Sequence, residues 1–207
     1  MTLCTIETPT HGRFLHEARD PRRLLVGFHG YGENAELHMA ELQQIPGAES
    51  WSLVAVQALH PFYTRSEQVV ANWMTRQDRE LAIADNIEYV RRVLATLPSP
   101  RTLVFLGFSQ GAAMASRAAA RVASAQGLIL LGGDIPPELR SDDAIRWPAT
   151  LLARGVRDDW YTDAKLESDA AFLEPRTRVT RCIFDGGHEW TSEFRASAGE
   201  FLRTVDR

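Results

Sequence analysis

The chain has 207 residues, 44% of them hydrophobic and 24% charged, with a formal net charge of −4. That length suits one domain with a substantial core, and the composition argues against a disordered or fibrous chain. Arginines are interleaved with acidic residues and no long basic run occurs, so no nucleic-acid partner is expected.

The first residues, "MTLCTIETPTHGR", lack a basic segment followed by an apolar block, so no secretion signal is expected. Apolar runs are too short to span a bilayer. The cysteines are Cys4 and Cys182. Without a secretion signal they read as reduced thiols of a cytoplasmic protein.

In chain order, "LCTIET" and "GRFLHEA" predict a short antiparallel pair. "RLLVGFHG", "WSLVAVQA", "RTLVFLGF", "QGLILLGG", "ATLLARG" and "TRVTRCIF" then read as strands. Runs that are apolar on both faces imply parallel strands covered on both sides. Ile83, Ile87, Val90, Leu94 and Leu97 fall on one helical face that stops at Pro98. Residues 110–124 are alanine-rich and favour helix. Leu166, Ala170 and Leu173 form a third stripe, stopped by Pro175. Trp190, Phe194, Phe201 and Val205 form the last. Strands alternating with helices predict a doubly wound α/β sheet over residues 1–207. Residues 57–76 are the least regular stretch.

In such a sheet, ligands bind at the carboxyl ends of the strands. Ser109 lies at one of them, within "GFSQG". This Gly-x-Ser-x-Gly pattern is the nucleophile elbow of α/β-hydrolases, where crowding at a sharp strand-to-helix turn demands glycine on either side. Alone it also fits a serine helix cap between turn glycines. A serine hydroxyl needs a base. His188 follows "FDGG" after an apolar strand, on the same sheet edge; its plainer reading is a surface-loop histidine. His60 precedes Pro61 near the same edge, whereas His11, His16 and His38 read as solvated. The base needs a carboxylate, and "TLLARGVRDDWYT" offers Asp158 and Asp159. Asp185 is better read as a turn residue before Gly-Gly. Serine, acid, histidine is the α/β-hydrolase order. Oxyanion donors are expected from the Gln110 N–H and from the glycine turn in "VGFHGYGEN".

The pieces "HGYGEN", "NWM", "GFSQGAAM", "GVRDDWY" and "GGHEW" together resemble the phospholipase/carboxylesterase family of α/β-hydrolases, which includes acyl-protein thioesterases. The resemblance runs from about residue 24 to the end. It implies Ser109 as nucleophile, His188 as base, Asp158 as acid by its spacing from Gly155, and Tyr31 and Gln110 as oxyanion donors. A second aspartate at 159 and Trp160-Tyr161 depart from the family pattern. Residues 58–74 are then the expected lid, with Phe62, Tyr63 and Trp73 lining an apolar acyl pocket. The implied activity is a cofactor-free and metal-free serine carboxylesterase acting on small acyl esters. A thioesterase or lysophospholipase on the same triad, and a silent binding protein on the same fold, are the alternatives. A homodimer stays open.

Overall fold

Five of the apolar runs become central strands because their side chains are buried on both faces. The computed structural model describes residues 1–206. Its main sheet has seven strands: β1 (Phe14–Glu17), β2 (Arg23–Phe28), β3 (Ser52–Val56), β6 (Thr102–Phe108), β7 (Gly127–Leu131), β8 (Ala149–Gly155) and β9 (Val179–Phe184), in the spatial order β1-β3-β2-β6-β7-β8-β9. All neighbours are parallel except β1, which runs antiparallel to β3. The remaining strands, β4 (His60–Tyr63) and β5 (Val69–Asn72), form a separate antiparallel hairpin.

Alternation along each strand divides the core into two layers. Leu24, Val26 and Phe28 face one side and pack with α2 (Arg79–Ala95), α3 (Gln110–Arg121) and α5 (Asp163–Leu173). Leu25, Leu53, Val104 and Leu106 face the other, with α1 (Ala35–Gln43) and α6 (Ser192–Val205). A one-turn helix, α4 (Pro137–Arg140), precedes β8. Edge strand β9 is half solvated, with Thr180, Arg181 and Ile183 exposed, so its outer face is not covered. The fold is that of α/β-hydrolases. Among the described residues no helix is long and apolar enough to cross a membrane.

Two sequence expectations need correction here. "LCTIET" forms no strand; "GRFLHEA" supplies β1, which takes the edge of β3 instead of a hairpin partner. Cys4 is therefore exposed outside the sheet, while Cys182 is buried in β9. The buried face of α2 is also rotated. It consists of Ala82, Asn86, Val90 and Val93, with Ile83, Leu94 and the following Leu97 only partly buried beside it. Asn86 sits in this face because its amide donates to the Trp73 carbonyl at 2.8 Å and to the Ala82 carbonyl at 2.7 Å.

The strand order fixes where a ligand can bind. From β2 the chain crosses to β3 on one side, and later returns to β6 on the other. Between β2 and β6 the connections diverge, leaving a crevice at their carboxyl ends. Ser109 follows β6 and His29 follows β2 at this point.

Candidate active site

The turn from β6 into α3 forces Ser109 to φ 53° and ψ −120°. A non-glycine residue held there costs on the order of 1–3 kcal/mol, so its surroundings must enforce it. Its N–H donates to the Leu131 carbonyl on β7 at 2.8 Å, and its carbonyl accepts from Ala112 N–H at 3.0 Å. The flanking glycines are steric necessities. A Cβ on Gly107 would come under 3.0 Å from the Gly111 backbone, and one on Gly111 equally close to the Phe28 and His29 carbonyls. The elbow thus docks α3 directly on the end of β2.

His188 reaches Ser109 from the loop after β9. Its Nε2 lies 2.7 Å from Ser109 Oγ, and its Nδ1 lies 2.8 Å from Asp158 Oδ2. An ionised carboxylate only accepts hydrogen bonds, so Nδ1 carries the proton and Nε2 presents a lone pair to the serine hydroxyl. The loops meet closely. A Cβ on Gly155 would come under 3.0 Å from the Gly186 and Gly187 carbonyls, and Gly132, at φ 63°, leaves room for the His188 ring.

Asp158 and Asp159 separate cleanly. The Asp158 side chain is 1% exposed, and its Oδ1 accepts from the Trp160 and Tyr161 amides at 2.8 and 2.9 Å. Asp159 is exposed, and Thr162 rather than Asp159 occupies the N-cap position of α5. Asp185 is exposed and paired with Arg157.

The glycine turn after β2 closes on itself: Gly30 N–H donates to Glu33 Oε2 at 2.7 Å, and Glu33 N–H to the Gly30 carbonyl at 3.3 Å. Burial raises the Glu33 carboxyl above its ordinary range, opposed by that amide. The β4–β5 hairpin clamps the same turn, with Gly32 N–H to the Ala71 carbonyl at 3.1 Å and Ala71 N–H to the Glu33 carbonyl at 2.7 Å. Gln110 joins this clamp through its side chain, which accepts from Trp73 N–H and donates to the Met74 carbonyl, both at 2.8 Å. The backbone N–H groups of Tyr31 and Gln110 have no partner among the described residues.

The expected lid is therefore largely a clamp. Trp73 does not line a pocket; it is fully buried against Phe28 and His29, and its indole N–H donates to the His29 carbonyl at 2.9 Å. Phe62 packs on Tyr31 with ring centroids 5.4 Å apart. Tyr63 is 73% exposed on the alternate face of β4. His60 is exposed as well. The cavity beside Ser109 is about 410 Å³ and contains none of Phe62, Tyr63 or Trp73. Met74, Ala113, Trp160 and Tyr161 give it apolar walls, and Arg76, Arg79 and Lys165 give it charge. The apolar pocket expected from the sequence is thus replaced by a mixed one. Another cavity, about 360 Å³, lies near Leu24, Leu97 and Arg101 at the amino end of the sheet, away from Ser109.

Two histidines were not legible as interior residues. His29 is fully buried; its Nε2 accepts from Ala58 N–H at 3.0 Å and its Nδ1 lies 2.7 Å from the Gly30 carbonyl. Desolvation lowers its pKa to about 4. His38, expected to be solvated, is 1% exposed, and neither ring nitrogen has a protein partner. Desolvation lowers it to about 3. Gly27 makes room for it: a Cβ there would come under 3.0 Å from the imidazole. An isolated glycine inside a strand is the signal of such close approach.

Comparison with known proteins agrees with this fold. The family model for serine hydrolase (FSH1) matches residues 19–189. A sequence search of curated proteins finds no match. Among solved structures, the chain is similar to esterase PE8 (23% identity, 95% of this chain and 100% of that one, TM-score 0.75). It is also similar to the Bacillus cereus carboxylesterase (17%, 94% of each, TM-score 0.74) and to Zea mays acyl-protein thioesterase 2 (17%, 94% and 99%, TM-score 0.72). At these identities the structural likeness speaks for the fold. The family match covers most of the chain, and the chain belongs to the serine hydrolase (FSH1) family.

Proposed function

We propose that the protein is a carboxylesterase that hydrolyses small acyl esters through an acyl-enzyme on Ser109. The observation that carries this reading is the unbroken relay from Asp158 Oδ2 through both His188 nitrogens to Ser109 Oγ, at 2.8 and 2.7 Å. Ser109 Oγ attacks the ester carbonyl as His188 Nε2 takes its proton. The new carbon–oxygen bond places negative charge on the former carbonyl oxygen, which the free N–H groups of Tyr31 and Gln110 receive. His188 then returns the proton to the departing alcohol. Water attacks the acyl-serine by the same route in reverse and releases the acid. Asp158 keeps the Nδ1–H tautomer and stabilises the imidazolium.

The cavity favours short acyl groups over long hydrocarbon chains, because charged residues interrupt its apolar wall. An intact relay argues against a silent binding protein. The free thiols of Cys4 and Cys182 suit a reducing, cytoplasmic compartment.

The test is active-site labelling with a fluorophosphonate, combined with ester and thioester hydrolysis over graded acyl lengths. Wild type should be labelled at Ser109 and should turn over short esters best. Folded Ser109→Ala should lose label and lose turnover by on the order of 10⁴–10⁶. Near-normal hydrolysis by that variant would overturn the assignment.

A further inference from the structure

We propose that the preferred substrate carries an oxyanion group, a carboxylate or a phosphate, in addition to the ester bond, and that Arg76 and Arg79 receive it. The proposal rests on the esterase reading above and narrows its substrate class. The chain as a whole is acidic, with net charge −4. Yet the cavity that holds Ser109 is lined by Arg76, Arg79 and Lys165 against a single surface carboxylate, Asp134.

Most arginines of this protein are neutralised. Arg117, Arg121, Arg140, Arg154, Arg157 and Arg181 all pair with carboxylates. In the cavity, Asp134 faces Lys165 at 3.6 Å. Glu138 feels the charge of Arg79, but Arg117 holds it at 2.9 Å. Arg76 and Arg79 take part in no salt bridge among the described residues. Two guanidinium groups therefore stand on the wall of a reactive cavity without a protein anion.

Their position gives this a consequence for binding. Both follow Met74, whose carbonyl accepts from the Gln110 side chain, so the arginine-bearing segment is tied to the elbow itself. A guanidinium presents a planar fork of donors that matches carboxylate and phosphate oxygens. Arg76 and Arg79 are exposed, as is Trp160 beside them, so the attraction acts at an open cavity mouth and is weakened by salt. A purely hydrocarbon acyl group gains nothing from either arginine.

The experiment compares anionic esters with their neutral counterparts. Monomethyl and dimethyl esters of succinate, glutarate and adipate vary the reach of a carboxylate. The acetyl esters of 3-hydroxypropyl phosphate and of propanol form the phosphate arm. In wild type, the best anionic ester should exceed its neutral partner at least tenfold in kcat/KM. That ratio should fall towards unity in Arg76→Gln/Arg79→Gln and in 0.5 M salt, and recover in part in Arg76→Lys/Arg79→Lys. The arm with the larger ratio identifies the oxyanion. Calorimetry on Ser109→Ala with the same uncleaved esters gives a readout free of catalysis. Tenfold tighter binding of an anionic partner, with no hydrolysis of any ester by wild type, would sink the esterase reading and leave the anion site standing. Neutral partners hydrolysed and bound as well as every anionic one would overturn the anion site while the esterase reading stands.

Discussion

Two sets of imidazoles lie close together in this molecule and do opposite things. His188 contacts Phe108 at 5.0 Å between ring centroids, Phe108 contacts Trp190 at 6.0 Å, and Trp190 contacts His38 at 5.5 Å. At one end of this aromatic chain, the His188 side chain is 23% exposed and has a partner at each nitrogen. At the other, His38 is buried without partners; His29, buried separately against Trp73, has two. Residue type thus says little about a histidine's work. Access to solvent and a carboxylate on the far nitrogen allow a proton to come and go; burial alone forbids it.

The sharpest way to break the comparison is to remove that carboxylate. Asp158→Asn should lower turnover by on the order of 10⁴, the effect of the same swap in another serine triad. The fold should survive, because an asparagine Oδ1 still accepts from the Trp160 and Tyr161 amides. Its Nδ2 then points at His188 Nδ1 and drives the ring proton to Nε2, facing Ser109. Asp159→Asn, changing an exposed group, should alter turnover less than twofold. Steady-state rates and denaturation midpoints of both variants decide the matter. If Asp159→Asn is the inactive one, the Asp158 assignment is wrong.

How far the sequence reached follows the same physics. The central strands were readable because burial on both faces leaves continuous apolar runs, and the elbow because its glycines meet backbone directly. Ser109, His188 and Asp158 come within hydrogen-bond reach of one another although they lie far apart in the chain. The face of α2 was misread because a polar residue, Asn86, occupies its centre, held by carbonyls that only tertiary structure supplies. Trp73 was misplaced for a related reason. An aromatic residue in an irregular segment packs equally well into a pocket wall or a core, and the indole bond to the His29 carbonyl has no one-dimensional signature. The charged wall of the cavity was missed because Arg76 and Arg79 look like any solvated pair until their lack of counter-ions is seen.

Within the interior set, His29 and His38 should respond differently to the same substitution. His29→Leu strands the Ala58 N–H, which loses its acceptor in the interior. A buried unsatisfied donor costs about 1–3 kcal/mol, so the midpoint of chemical denaturation should fall accordingly. The Gly30 carbonyl keeps only its longer bond from Glu33 N–H, at 3.3 Å, which loosens the turn that presents Tyr31, so turnover should fall with stability. An unchanged midpoint would mean that the His29 bonds contribute nothing net.

The smallest effect at neutral pH, and the most diagnostic, is expected at His38. His38→Leu removes two ring nitrogens that bond to nothing in the protein and keeps an apolar side chain against Trp190. At pH 7 the change in stability should lie within about 1 kcal/mol of zero, in either direction. The difference should then grow with acidity. An exposed imidazole titrates near 6.5, whereas burial holds His38 at about 3. Below pH 6.5 the unfolded chain takes up a proton that the native chain refuses, so native stability is lost as pH falls towards the folded value. Between pH 7 and pH 5 this one group removes about 2 kcal/mol from wild type and nothing from His38→Leu. His29, held at about 4, adds a loss of the same sign to both proteins. Asp169, raised to about 6 chiefly by burial, acts in the opposite sense in both, and each cancels in the comparison. Urea denaturation of the two proteins at pH 7 and pH 5 measures the difference, and parallel losses would show that His38 is protonated in the native state.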